Sequence, residues 1–121
     1  MGTTQSKDDV SMLVQLGMVA CMNGDVYNAR KVFENLLEYD PDMRAASLGF
    51  AFSKIVTDEF KEAESILSEL SEDDDTLSLK VISLSLQHNL EEAENIYSRI
   101  RDKSSPEALT AKQFMDNSAD R

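Results

Sequence analysis

The residue types that do chemistry are few in this chain and stand far apart. His88 is the only histidine and Cys21 the only cysteine. An imidazole acts as a general acid or base only beside a nucleophile or a second titratable group. The stretch around His88 reads "LQHNL" and offers neither. Its place between two helical segments suits a helix C-terminus, where a basic side chain meets the negative end of the dipole. A lone cysteine makes no internal disulfide and no cysteine metal site. Cys21 stands in an apolar stretch, where a buried thiol is usually inert. The acids "EDDD" at 72–75 lack the glycine and the distal glutamate of a calcium loop and read as a solvated loop. No glycine-rich phosphate loop is present. The expectation is a protein without catalytic residues, cofactor or metal.

What remains is the chemistry of surfaces. The chain has 121 residues, enough for one domain (1–121), and a net charge of −11. Nucleic acid and anionic membranes need clustered Lys and Arg, so neither is an expected partner. A basic protein partner is compatible with this charge. The segment "MGTTQSKDDV" has no basic stretch leading into an apolar one, so no secretory signal is expected. Gly2 and Ser6 fit the loose myristoylation pattern, but the segment is acidic and has no second anchor. A single cysteine makes a reducing compartment the simpler expectation. Against this background "LVQLGMVACM" (13–22) stands out, with Gln15 its one polar side chain. A helix of these residues has no wet face.

The elements that must position this stretch are helical. Alternating strand patterns are rare. Breaks fall at "NGD" (23–25), "YDPD" (39–42), "TDE" (57–59), "SEDDDT" (71–76), "HN" (88–89) and "KSSP" (103–106). They leave six helix-sized pieces and a short seventh. Asp25, Asp42, Asp58 and Asn89 are expected N-caps, Asn89 and Glu92 resemble a capping box, and Ser6 with Asp9 suits the first helix. Ser105 is expected to cap the last, with Pro106 at its first position. "DNSADR" reads as a frayed tail.

The second, fourth and sixth pieces are alike: "GDVYNARKVFENL", "DEFKEAESILSEL" and "NLEEAENIYSRI". Each has an alanine (Ala29, Ala63, Ala93) four residues before Phe33, Leu67 or Tyr97. The spacings between the alanines, 34 and 30, bracket one helix–turn–helix unit. Leu13, Leu16, Gly17, Ala29, Phe33 and Pro41 stand where the tetratricopeptide consensus expects Trp, Leu, Gly, Ala, Phe and Pro. The second unit keeps Ala51, Ala63 and Leu67 and lacks the proline. The third keeps Ala93 and Tyr97. Residues 10 to 104 thus resemble the tetratricopeptide repeat family. The resemblance implies an all-α fold of three units (about 10–42, 43–75 and 76–104) stacked as a short superhelix. "PEALTAKQFM" (106–115) is the expected C-terminal capping helix, sealed by Leu109 and Phe114.

In that family the first helix of each unit lines a concave groove. Leu13, Leu16, Gly17 and Ala20 form the stripe expected to face the partner helix. Val14, Met18, Cys21 and Met22 form a neighbouring apolar stripe. The equivalent positions of the second unit are Leu48, Phe52, Ile55 and Val56. In the third they are Ser78, Ile82, Ser85 and Leu86, two of them apolar. The expected partner-binding groove is therefore Val14, Met18, Cys21, Met22, Leu48, Phe52, Ile55, Val56, Ile82 and Leu86, with Phe52 as its centre. An amphipathic or apolar helix would fit it, and Met18 and Met22 suit an adaptable surface. The same stripe could instead pack internally in a tightly curled array, or pair two copies as a homodimer of the free protein.

A short, acidic, three-unit chain with an apolar groove resembles the small tetratricopeptide chaperones of bacterial type III secretion. That resemblance implies a cytoplasmic protein holding the apolar helix of a secreted subunit, the needle protein foremost, together with a small helical co-chaperone. A related group holds translocator proteins. The rival reading is a self-associating helical scaffold without a client.

Overall fold

The computed structural model describes residues 7–119, and all regular structure among them is helical. The helices are α1 (Lys7–Met22), α2 (Val26–Tyr39), α3 (Arg44–Ile55), α4 (Phe60–Ser68), α5 (Asp74–Leu86), α6 (Leu90–Tyr97) and α7 (Pro106–Ala119). Each of the six breaks read from the sequence separates two of them. The contacts divide the chain into two compact units, Met1–Ala63 and Glu64–Arg121, with the boundary inside α4. The sequence reading had one domain from 1 to 121.

Three turns repeat the same backbone. Gly24, Asp58 and His88 all have positive φ, 89°, 64° and 60°. Gly24 N–H donates to Cys21 C=O at 3.1 Å, and Asp25 N–H to Ala20 C=O at 2.7 Å. Asp58 and Glu59 bond in the same way to Ile55 and Lys54 at 3.1 and 2.8 Å. His88 and Asn89 do so to Ser85 and Leu84, at 3.0 and 2.9 Å. This is the Schellman closure of a helix C-terminus, with a left-handed residue ending the intrahelical ladder. The three positions are separated by 34 and 30 residues, the same spacings as the buried alanines Ala29, Ala63 and Ala93. The repeat is thus a repeat of hydrogen bonds as well as of residue types. His88 ends α5, but through its backbone conformation rather than its charge.

Helix starts depart from the sequence reading. The Asp25 side chain caps no backbone N–H and accepts instead from the Asn28 amide. Asp42 is displaced as cap by Met43. Asp58 takes the left-handed turn position, so it ends α3 instead of starting α4. Asn89 does cap α6, accepting from Glu92 N–H. Ser105 accepts from Ala108 N–H at 3.2 Å, next to Pro106. Ser6 lies outside the described residues. The run at 72–75, expected as loop, is a helix start. Asp73 and Thr76 form a reciprocal capping box, and Asp74 and Asp75 occupy the first turn of α5. Acids there face the positive end of the helix dipole.

In the first unit, α2 packs on α1 and α3, and α1 also touches α3. The Phe33 ring, fully buried, fills the space between them. In the second unit α5 packs against α6 and α7, and α6 touches α7. Ala108, Ala111 and Met115 are the buried face of α7. Leu109, expected to seal the end, is exposed, and Phe114 is half-buried. The helix runs four residues past its expected end, to Ala119. Lys112 pairs with Asp116, and the Ser118 hydroxyl donates to Ser85 C=O at 2.8 Å, so part of the presumed tail is anchored.

Candidate functional site

The ten residues expected to line a groove separate by burial. Cys21, Phe52, Ile55 and Ile82 are in the core, and Phe52 is only 2% exposed. Met18, Leu48, Val56 and Leu86 are half-buried, and Met22 is exposed. The side chain of Val14 lies outside the described residues. The positions with the deepest burial are those at the middle of the stripe. What solvent reaches in the first unit is its margin: Met18 and Met22 on α1, Leu48 on α3 and Val56 at its C-cap.

The charge-free stretch adds a second surface. No charged residue occurs from Val10 to Gly24. Gly17 and Cys21 turn inward, and Leu13 and Ala20 are half-buried. Leu16, expected beside them, is instead 57% exposed, as is Met12, and Val19 is 53% exposed. Met12, Leu16 and Val19 follow the i, i+4, i+7 spacing of one helix face. With Gln15 and Met22 they make an apolar arc that nothing in the described residues covers. The sequence signal was the missing wet face. The consensus match placed Leu16 on the wrong side of it.

A polar clamp holds the elements behind this site. Arg30 on α2 donates from Nε to Ser53 Oγ at 3.1 Å, and from its terminal nitrogen to Thr57 Oγ1 at 2.8 Å and to the Ser53 carbonyl. It also pairs with Glu59, to which Thr57 donates as well. Lys54 adds a longer ion pair to the same carboxylate. The Thr57 hydroxyl and then Arg30 hold the Glu59 carboxyl down at about 2. The clamp ties α2 to the turn between α3 and α4. Burial pushes the Cys21 thiol up, against a smaller opposing pull from Arg30, which favours its protonated form.

In the second unit, Glu72, Asp73, Asp74, Asp75, Leu77, Arg99 and Arg101 line a surface concavity. Glu72 pairs with Lys80 and Arg99. Asp74 accepts from the backbone N–H groups of Arg101 and Asp102 at 2.9 and 3.0 Å. Those bonds lower its pKa. These acids are engaged in fastening the start of α5 to the segment after α6. Among the described residues no group of His, Cys, Asp and Glu could hold a metal ion. No described helix is long and apolar enough to cross a membrane.

Equivalent turns, buried alanines and a bulky residue packed between successive helices define a helical repeat. Residues 21–80 match the tetratricopeptide repeat family model. The matched stretch runs from the last turn of α1 into the middle of α5. It takes in all of α2, α3 and α4. No curated protein and no solved structure gives a significant match. Tetratricopeptide repeats mediate protein–protein interaction. The apolar surfaces of the first unit that solvent reaches are the margin of the inward stripe and the outer arc of α1.

Proposed function

We propose that the chain is a non-catalytic protein-binding module, a cytoplasmic chaperone of the type III secretion kind. Its client is an apolar or amphipathic helix of a secreted subunit, the needle protein before a translocator. The observation that carries this reading is the apolar margin formed by Met18, Met22, Leu48 and Val56. Its residues belong to α1 and to α3 with its C-cap, two elements in contact with each other. A client helix laid along that margin covers flexible methionines and aliphatic side chains without having to open the core. The acidic composition and the likeness to secretion chaperones support the choice of client. Its strong negative charge suits a basic partner or co-chaperone.

The test is affinity purification of the tagged chain from its native organism, followed by binding measurements with the purified partner. Met22→Glu and Val56→Glu should keep native helicity and weaken binding by about tenfold or more each, because a carboxylate would be driven against the client's apolar face. A partner bound equally well by both variants would place the client elsewhere.

A further inference from the structure

The last helix does not sit in the second compact unit as α3 sits in the first. There α3 and α1 flank the Phe33 ring and bury it completely. Tyr97 stands at the equivalent place, four residues after its buried alanine, yet it is only half-buried. The Lys103 ammonium lies over its ring, 5.4 Å from the centroid. α7 lies along α5 instead, tied at both ends. Asp74 at the start of α5 accepts from the N–H groups of Arg101 and Asp102, just ahead of α7. At the far end the Ser118 hydroxyl donates to Ser85 C=O. We propose that the face of α5 formed by Ser78, Ile82 and Ser85 is a helix-binding site, filled by α7 in the free protein and taken over by a partner's helix.

These three residues follow the i, i+4, i+7 spacing of one helix face, and all are buried. The Ser78 and Ser85 hydroxyls have no hydrogen-bond partner among the described residues. Buried hydroxyls are nearly always satisfied. The buried face of α7 is Ala108, Ala111 and Met115, and alanine offers neither donor nor acceptor. α7 therefore keeps water from two hydroxyls without replacing it. Its larger Leu109 is exposed, so much of the contact rests on small side chains that bury little apolar area. A partner helix with alanine or glycine at the same spacing, and Ser, Thr or Asn beside them, would cover this face and satisfy both hydroxyls. That is the chemistry the site selects. The Asp74 bonds hold the segment before Pro106, so α7 can leave while its root stays fastened. The site uses none of the margin on α1 and α3 and stands whatever client binds there.

Native-state hydrogen exchange of the full chain reads the release of α7. Amides 110–115 should exchange at least about tenfold faster than those in the middle of α5. Ser78→Ala and Ser85→Ala should each slow them about fivefold, because the hydroxyl favours the open form. α7 amides as slow as those of α5, or indifferent to both substitutions, overturn the proposal. Occupancy by a second helix is read with a labelled peptide of residues 106–119. Ala111→Glu sets a carboxylate in the buried face and should free α7 while α5 and α6 stay protected. By fluorescence anisotropy this variant should bind the peptide about tenfold more tightly than the parent does, since its own helix no longer competes. Equal binding by both chains, or by neither, removes the site. Protection lost from α5 and α6 together with α7 makes α7 part of the core and overturns the proposal as well.

Discussion

Gly49 and Phe33 are in direct contact across two helices. A β-carbon built on Gly49 would stand 2.3 Å from Cε1 of the Phe33 ring. One built on Gly17 would meet Cζ at 2.7 Å. The ring is held between α1 and α3 because both helices present a bare backbone to it. Phe33 is fully buried, so moving its ring disturbs close-packed neighbours. Gly49→Ala gains helix propensity worth up to about 1 kcal/mol. Overpacking costs about 1–3 kcal/mol and should dominate. Chemical denaturation should show a net loss of stability. The loss should shrink in combination with Phe33→Leu, which removes the obstructing ring atoms.

Phe52 is decided by its burial. In an open groove a carboxylate at this position would stay hydrated and spare the fold. At 2% exposure it cannot. Phe52→Glu should lower stability by about 3 kcal/mol or more, combining a lost aromatic with a buried carboxyl. Loss of helical signal or a collapse of the thermal midpoint is the expected result. Full native stability would mean that the ring is solvent-accessible in solution.

Ser78 and Ser85 are buried on one face of α5, and neither hydroxyl has a hydrogen-bond partner among the described residues. An unsatisfied buried hydroxyl costs free energy that alanine avoids. Serine is also the poorer helix former. Ser78→Ala should therefore stabilise the protein, by about 1 kcal/mol. Equilibrium unfolding in urea measures it, and a destabilised variant would reveal a partner for the hydroxyl.

Acid sensitivity follows from the Glu59 clamp. Its carboxyl pKa is lowered in the folded state from 4.5 to about 2. Between those values the unfolded chain binds a proton that the folded chain does not. The contribution of this group is therefore complete above pH 4.5 and is lost as the pH falls towards 2. Glu59→Gln should show a shallower fall of thermal midpoint across that window than the parent protein. Equal slopes would remove Glu59 from the acid response.

Much of the fold was legible because its determinants are local. Breaks such as "NGD" and "KSSP" end helices through backbone preferences that need no tertiary context, and every one marked a real boundary. Ala29, Ala63 and Ala93 were legible because close helix packing tolerates little else. The caps were not. Asp42 and Asp58 have the chemistry of an N-cap, but the Schellman turn claims position 58 for the end of the preceding helix. Asp73 was hidden inside an acidic run that looked like solvated loop. The surface was the least legible. Consensus placed Leu16 inward because it matches residue type and spacing. Which side of an all-apolar helix meets water depends on where α2 and α3 lie. Gly49 escaped notice for a similar reason: its role is fixed by a ring from another helix.

The three left-handed turn residues give a final test of the repeat. Gly24, Asp58 and His88 occupy the same position in the turns that close α1, α3 and α5, yet only the first is glycine. A β-carbon at Gly24 would touch nothing within 4 Å. Any penalty there is conformational, in contrast to Gly17 and Gly49, where it is steric. Gly24→Ala should cost about 1 kcal/mol, because an L-residue with a β-carbon crowds its carbonyl oxygen at positive φ. Gly24→Asn should cost less, since asparagine tolerates this region. The reverse substitution should act with opposite sign. His88→Gly relieves about 1–2 kcal/mol of left-handed strain, while the added freedom of the unfolded chain takes back about 0.4–1 kcal/mol. A net gain between about 0 and 1.6 kcal/mol is expected, and Asp58→Gly should gain less because aspartate visits the region more readily. Measured together by equilibrium unfolding, the series should order as His88→Gly above Asp58→Gly above the parent, with Gly24→Asn and then Gly24→Ala below it. If Gly24→Ala is as stable as the parent, the first turn does not hold the left-handed conformation in solution, and the equivalence of the three turns fails at its first member.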